Sequence, residues 1–178
     1  MRDTLPQLDL GLLRTDYPPE NGASYRDNAL VKARHGRAVG PADRWMVADD
    51  SGIELAALGG APGVHTARWA EGRHVERALE ALADSADRDA RYVCELVAIS
   101  PDGEELYGTG VLEGRIADSP AGDGGFGFDP VFVPAGETLT VAELGDAWKA
   151  EHSHRALAAR DLRSALAQHR DGRDRATS

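Results

Sequence analysis

Helical and extended patterns alternate along this chain with one hairpin among them, an order that fits an α/β fold with helices flanking a mixed, twisted sheet. A helix is expected over residues 24–39. Ser24 and Asp27 stand there in capping-box spacing, Gly40 ends the run, and Tyr25, Ala29, Ala33 and Arg37 share a face. Trp45-Met46-Val47-Ala48 reads as a short buried strand that ends in Asp49-Asp50-Ser51-Gly52. A second helix is expected over 74–86, with Val75, Ala78, Leu79 and Leu82 inward. Residues 91–100 read as a strand that Pro101-Asp102-Gly103 turns into a partner over 106–112. A glycine-rich loop over 120–130 leads into the strand Val131-Phe132-Val133. Thr140 and Glu143 form a capping box for a helix to about Ala150. Ser153 caps the last helix, which turns Leu157, Leu162 and Leu166 inward and passes into a polar tail from about residue 169.

No internal repeat or linker divides the sequence, so residues 1–178 read as one domain. With 42% apolar and 28% charged residues the chain can bury a core. A net charge of −10 argues against nucleic acid or an anionic membrane as the main partner. Cys94 is the one cysteine, which excludes an intrachain disulfide framework and a zinc knuckle. The first residues hold no apolar run of signal-peptide length, and no later stretch could span a membrane, so a soluble, cytoplasmic protein is expected. Lys32 and Lys149 are the two lysines among twenty basic residues, an invitation to ask whether a compact ammonium is needed there.

Four groups of residues can carry chemistry. Adjacent side chains leave a strand on opposite sides, so only one of Asp49 and Asp50 faces a given site. A carboxylate there can hold Mg²⁺ or take a proton from water; the alternative is a turn that ends the strand, with its Asp side chains satisfying backbone donors. Glu20, Asn21 and Gly22, followed by Asp27, Asn28 and Lys32, form a second polar set. Asn28 and Lys32 lie four apart on one helix face, and a solvated face is the plainer reading. Lys149, His154 and Arg155 gather cationic groups around a helix N-terminus, where a phosphate would be welcome. Phe126, Gly127, Phe128 and Asp129 offer two aromatic faces, a flexible backbone and a carboxylate. Those rings either stack a base or plug the core.

The order of these motifs closely resembles the inosine-triphosphate pyrophosphatase family. It runs Glu20-Asn21-Gly22 with Asp27-Asn28-Ala29 and Lys32-Ala33, then Ala48-Asp49-Asp50-Ser51-Gly52, then Gly59-Gly60-Ala61-Pro62-Gly63 with Ala67-Arg68. Gly125-Phe126-Gly127-Phe128-Asp129-Pro130 follows, and then Ala142-Glu143-Leu144, Lys149 and Ser153-His154-Arg155. The resemblance implies two lobes around a central nucleotide cleft. It further implies Mg²⁺-dependent hydrolysis of non-standard purine nucleoside triphosphates (ITP, dITP, XTP) to the monophosphate and pyrophosphate, by a homodimer. It makes Glu20 and Asp50 metal ligands, Asp50 also the proton acceptor, and Ser51 a substrate contact. Phe126, Gly127, Phe128 and Asp129 would hold the purine, and Lys149, His154, Arg155, Lys32 and Arg68 the remainder of the substrate.

Two departures mark the sequence. The family opens with a strand and Ser/Thr-x-Asn-x-x-Lys, but neither Asn21 nor Asn28 sits in that spacing, so the chain is expected to start after that strand. Asp27 stands where the family has Glu. Either the start is misassigned or the phosphate cradle is reduced, and the second case leaves room for two alternatives: a nucleotide-binding relative with little turnover, or a pyrophosphatase shifted to another modified nucleotide.

Overall fold

A computed structural model describes residues 11–176. Its elements are α1 (Tyr25–Val39), β1 (Met46–Leu55), α2 (Thr66–Ala70), α3 (His74–Ala81), β2 (Asp89–Ile99), β3 (Glu105–Ile116), β4 (Phe132–Pro134), α4 (Val141–His152) and α5 (His154–Ala176). The strands form one open sheet in the order β1-β2-β3-β4. The expected mixed sheet is corrected to an antiparallel one among the described strands. β3 meets β4 antiparallel with Arg115 opposite Val133, and Pro101-Asp102-Gly103 closes the hairpin between β2 and β3 through a bond from Gly103 N to Ser100 O. No helix among the described residues is long and apolar enough to cross a membrane.

The chain divides into two compact units. The first contains the described residues up to Asp50, Cys94–Gly110 and the chain from Arg155; the second contains Ser51–Val93 and Val111–His154. In the first unit the two-residue period of the strands sorts side chains to two helices. Cys94, Leu96 and Ala98 of β2 pack with Ala158, Ala159 and Leu162 of α5, together with Val47 and Leu106. Val97 and Ile99 pack with Ala29 and Ala33 of α1, together with Ala48 and Tyr107. Alternation therefore makes α1 and α5 cover opposite faces. Small residues set how closely α5 lies. A Cβ on Gly108 would overlap the carbonyl oxygen of Ala158 and stand 2.6 Å from the Leu162 Cβ.

The second unit is built on Ile53, Leu55, Leu82, Tyr92, Ile116, Phe128, Val131 and Phe132. Arg88 ties its ends together, donating from Nε to Ile116 O (2.8 Å), from Nη1 to Leu82 O (3.2 Å) and from Nη2 to Ala117 O (2.8 Å). Both expected capping boxes form, at Ser24–Asp27 and Thr140–Glu143.

Element ends are where expectation and structure part. α3 stops at Ala81 rather than 86, and α4 is interrupted at Gly145, whose φ of 80° is a left-handed value that glycine accepts without strain. The polar stretch from about 169 continues α5 to Ala176; its His169 lies edge-on to Trp45 and 3.1 Å from Glu104. On the inner side of α5, Ala156, Ala158, Ala159 and Leu162 are buried, whereas Leu157 and Leu166 are only half-buried.

Gly108→Ala is expected to cost about 1–3 kcal/mol through overpacking. Urea unfolding measures this, and an unchanged midpoint would contradict the close approach of α5.

Candidate functional site

In the first unit, polar side chains converge on Asp50. The sequence placed Asp49 and Asp50 at the end of a strand; the structure corrects this, because β1 continues through Ser51 and Gly52 to Leu55. Ile53 and Leu55 are fully buried, and Thr66 Oγ1 accepts from Ile53 N at 3.0 Å, so the strand is held well past the carboxylates. The alternative of an Asp-rich turn therefore falls away.

Alternation sends the two carboxylates to different faces. Asp50 lies towards α1 and is 8% exposed. Its Oδ2 accepts from Asn28 Nδ2 (3.1 Å) and its Oδ1 from Lys32 Nζ (3.0 Å). Lys32 Nζ also donates to Glu20 Oε1 at 2.8 Å. Asn28 is 1% exposed, and its Oδ1 accepts from Gly22 N at 2.7 Å. Four residues of one polar set thus form a single bonded network, and the solvated-face reading of Asn28 and Lys32 is overturned. Asp49 takes the other face, where its Oδ2 accepts from Arg155 Nε at 3.2 Å. Cys94, with Asp49 and Arg155 nearby, is a buried thiol pushed up to about 12, chiefly by desolvation, and so is inert.

Burial is the largest influence on Asp50 and raises its pKa above the ordinary carboxyl value, against the hydrogen bonds from Asn28 and Lys32 that favour the anion. Burial likewise acts to lower the pKa of Lys32, but its bonds to Glu20 and Asp50 together outweigh it, and the ammonium is retained.

Glu20 and Asp50 each place a carboxylate oxygen on the Lys32 ammonium, and hard oxygen donors of this kind could hold a divalent cation. Among the described residues no group of three or more His, Cys, Asp or Glu side chains could hold a metal. An ion on this pair would complete its shell with water and phosphate oxygens, as Mg²⁺ commonly does.

In the second unit, the loop over 120–130 presents its two rings differently: the core-plug reading holds for Phe128, while Phe126 faces solvent. Phe126 is 66% exposed, with Lys149 Nζ 3.9 Å from its ring centroid. Phe128 is a core plug, 3% exposed, packed beside Trp69, His74 and Tyr92. Asp129 is buried and shapes the loop, accepting from Phe126 N at 2.7 Å and from Lys149 Nζ. Gly125 and Gly127 both hold positive φ (74° and 65°), and a Cβ on Gly125 would collide with the Asp129 carboxylate.

The cations expected around the start of α5 each have a partner: Lys149 bonds Asp129, His154 stacks on Tyr92 with centroids 4.7 Å apart, and Arg155 bonds Asp49. Ser51 is half-buried in β1 beside Asp50. Arg68 lies exposed on α2, with Nη2 2.9 Å from His65 Nδ1. Sequence reasoning named Asn28 without giving it a role, although its spacing from Lys32 was the available signal. Nothing in the sequence pointed to Tyr92 as the platform for His154.

This architecture is the one seen in Ham1 proteins of known structure. A HAM1 protein from Coxiella burnetii superposes with a TM-score of 0.81 at 34% identity, covering 94% of this chain and 91% of that one. The chain belongs to the Ham1 family, whose model matches residues 2–165. It is similar to the dITP/XTP pyrophosphatase of Bdellovibrio bacteriovorus, with 42% identity over 147 residues (79% of this chain, 73% of the relative). It is also similar to that of Leifsonia xyli, with 42% identity over 164 residues (88% and 81%). The kinship implied by the ordered motifs is therefore found.

Because folding raises the Asp50 pKa, its contribution to stability is present below the unfolded value and is lost as pH rises through the folded value. Asn cannot ionise. The stability difference between Asp50→Asn and the parent is therefore expected to move in favour of the variant between acid and neutral pH. Urea unfolding at both pH values measures it, and a constant difference would contradict a raised pKa.

Proposed function

We propose that this chain is a Mg²⁺-dependent nucleoside triphosphate pyrophosphatase that hydrolyses non-standard purine nucleotides such as ITP, dITP and XTP to the monophosphate and pyrophosphate. The observation that carries the reading is the buried Asp50 carboxylate, fixed by Asn28 and Lys32 and joined through Lys32 to Glu20. The relatives named dITP/XTP pyrophosphatase support the substrate class.

Glu20 and Asp50 are the residues that would hold the metal. When bound, Mg²⁺ supplies charge neutralisation at the phosphate oxygens. Asp50 takes the proton of the attacking water. The water oxygen bonds the α-phosphorus, the bond from that phosphorus to the α–β bridging oxygen breaks, and its electron pair leaves with pyrophosphate.

Phe126 offers its exposed ring to the purine, Gly127 brings backbone close to it, and Phe128 and Asp129 hold the loop in shape. Lys149, His154, Arg155, Ser51, Lys32 and Arg68 contact the substrate. Donors aimed at a purine O6 would be left unpaired by an adenine amino group, at about 1–3 kcal/mol per lost bond. In this reading residues 1–178 act as one catalytic domain, in a cytoplasmic homodimer.

The test is pyrophosphate release from ITP, XTP, dITP, GTP and ATP, with and without Mg²⁺. Metal-dependent release that favours ITP or XTP is expected, and Asp50→Asn should lower kcat by about 10²–10⁴-fold, the usual worth of a positioned base. Release that ignores Mg²⁺, or that is as fast from ATP as from ITP, would defeat the proposal. Lys149→Ala should raise KM, and an unchanged KM and rate would refute its substrate role.

A further inference from the structure

We propose that Lys32 is a resident cation at the metal position, so that its ammonium and a divalent ion compete for the Glu20 and Asp50 carboxylates. The inference rests on the reading of those two residues as metal ligands and adds a device that the reading does not contain. Lys32 Nζ lies 2.8 Å from Glu20 Oε1 and 3.0 Å from Asp50 Oδ1, so one ammonium bonds both carboxylates. Two carboxylates brought together without a cation repel, and the repulsion grows as water is excluded. Asp50 is buried, so a chain folded without metal needs an internal counter-ion there.

The surroundings suit an ammonium that gives way. Asp50 does not depend on Lys32 alone for its position: Asn28 Nδ2 holds the other oxygen at 3.1 Å, and Asn28 is itself held by Gly22 N. The carboxylate can therefore keep its place while the ammonium leaves. Glu20 is 45% exposed at its side chain and Lys32 15%, so one side of the network opens to solvent. The residue type fits as well. A lysine is a point charge on a flexible stem that swings clear, whereas arginine would grip a carboxylate through two parallel bonds. This chain uses lysine only twice among twenty basic residues, and one of the two stands here.

The test needs neither nucleotide nor turnover. The full chain and Lys32→Met, both stripped with EDTA, are titrated with Mn²⁺ by calorimetry, with circular dichroism to verify folding. Lys32→Gln serves in place of Lys32→Met should the latter fail to fold. The Lys32 variant is expected to bind Mn²⁺ about tenfold more tightly, since no ammonium has to be displaced. Adding Glu20→Gln should abolish the gain. Equal or weaker binding by the Lys32 variant, with the parent still binding Mn²⁺, would overturn the competition and leave the assignment of the metal ligands standing. Failure of the parent and the variant alike to bind Mn²⁺ would overturn both.

Discussion

The two-residue period of β1 governs how the polar residues of this protein are arranged. Asp49 and Asp50 are neighbours in sequence, but a strand turns them to opposite faces, so they enter separate environments. Asp50 meets Asn28 and Lys32 of α1, and Asp49 meets Arg155 at the start of α5. The same alternation divides the apolar side chains of β2 between those helices, Val97 and Ile99 to α1 and Leu96 and Ala98 to α5. A shift of one residue in β1 would exchange the two carboxylates and, with them, Val47 of the α5 layer and Ala48 of the α1 layer. Packing and chemistry therefore constrain the same register.

Burying charge in a chain of net charge −10 requires local compensation, and both lysines provide it in the same manner. Lys32 bonds buried Asp50 and Lys149 bonds buried Asp129. In each case the ammonium also meets a more exposed group, Glu20 in one and the Phe126 ring in the other. Ion pairs of this kind rarely add much net stability, because desolvation offsets the attraction. What they fix is geometry: the orientation of Asp50 in the first unit, and the presentation of Phe126 in the second. Arginine does the stapling elsewhere, as at Arg88, where a planar fork reaches three carbonyl groups.

Much of the fold was legible in the sequence because its signals are local. Capping boxes at Ser24 and Thr140, the Pro101-Asp102-Gly103 turn and the apolar face of α3 each depend on residues within a few positions of one another. Boundaries were less legible. The strand holding Asp49 and Asp50 was expected to end there, because two carboxylates, a serine and a glycine read locally as a turn. Buried Ile53 and Leu55 carry it on, a tertiary preference that outweighs weak local signals. In α5 the reverse holds: a polar composition suggested a tail after Gln168, whereas the helix continues to Ala176.

The sequence by itself determined which residue types were available for chemistry and in what order, and that order was enough to point to the family. It also determined the strand period that separates Asp49 from Asp50. Only the tertiary structure decided that Asn28 is buried against Asp50, that Lys32 joins Asp50 to Glu20, that Phe126 is exposed while Phe128 is a core plug, and that His154 rests on Tyr92. Asn28 and Asp50 are 22 positions apart, and Asp49 and Arg155 are 106 apart. The physical reason is that burial and hydrogen-bond partnership depend on neighbours in space. The same phenylalanine plugs a core or presents a face to solvent according to what packs around it.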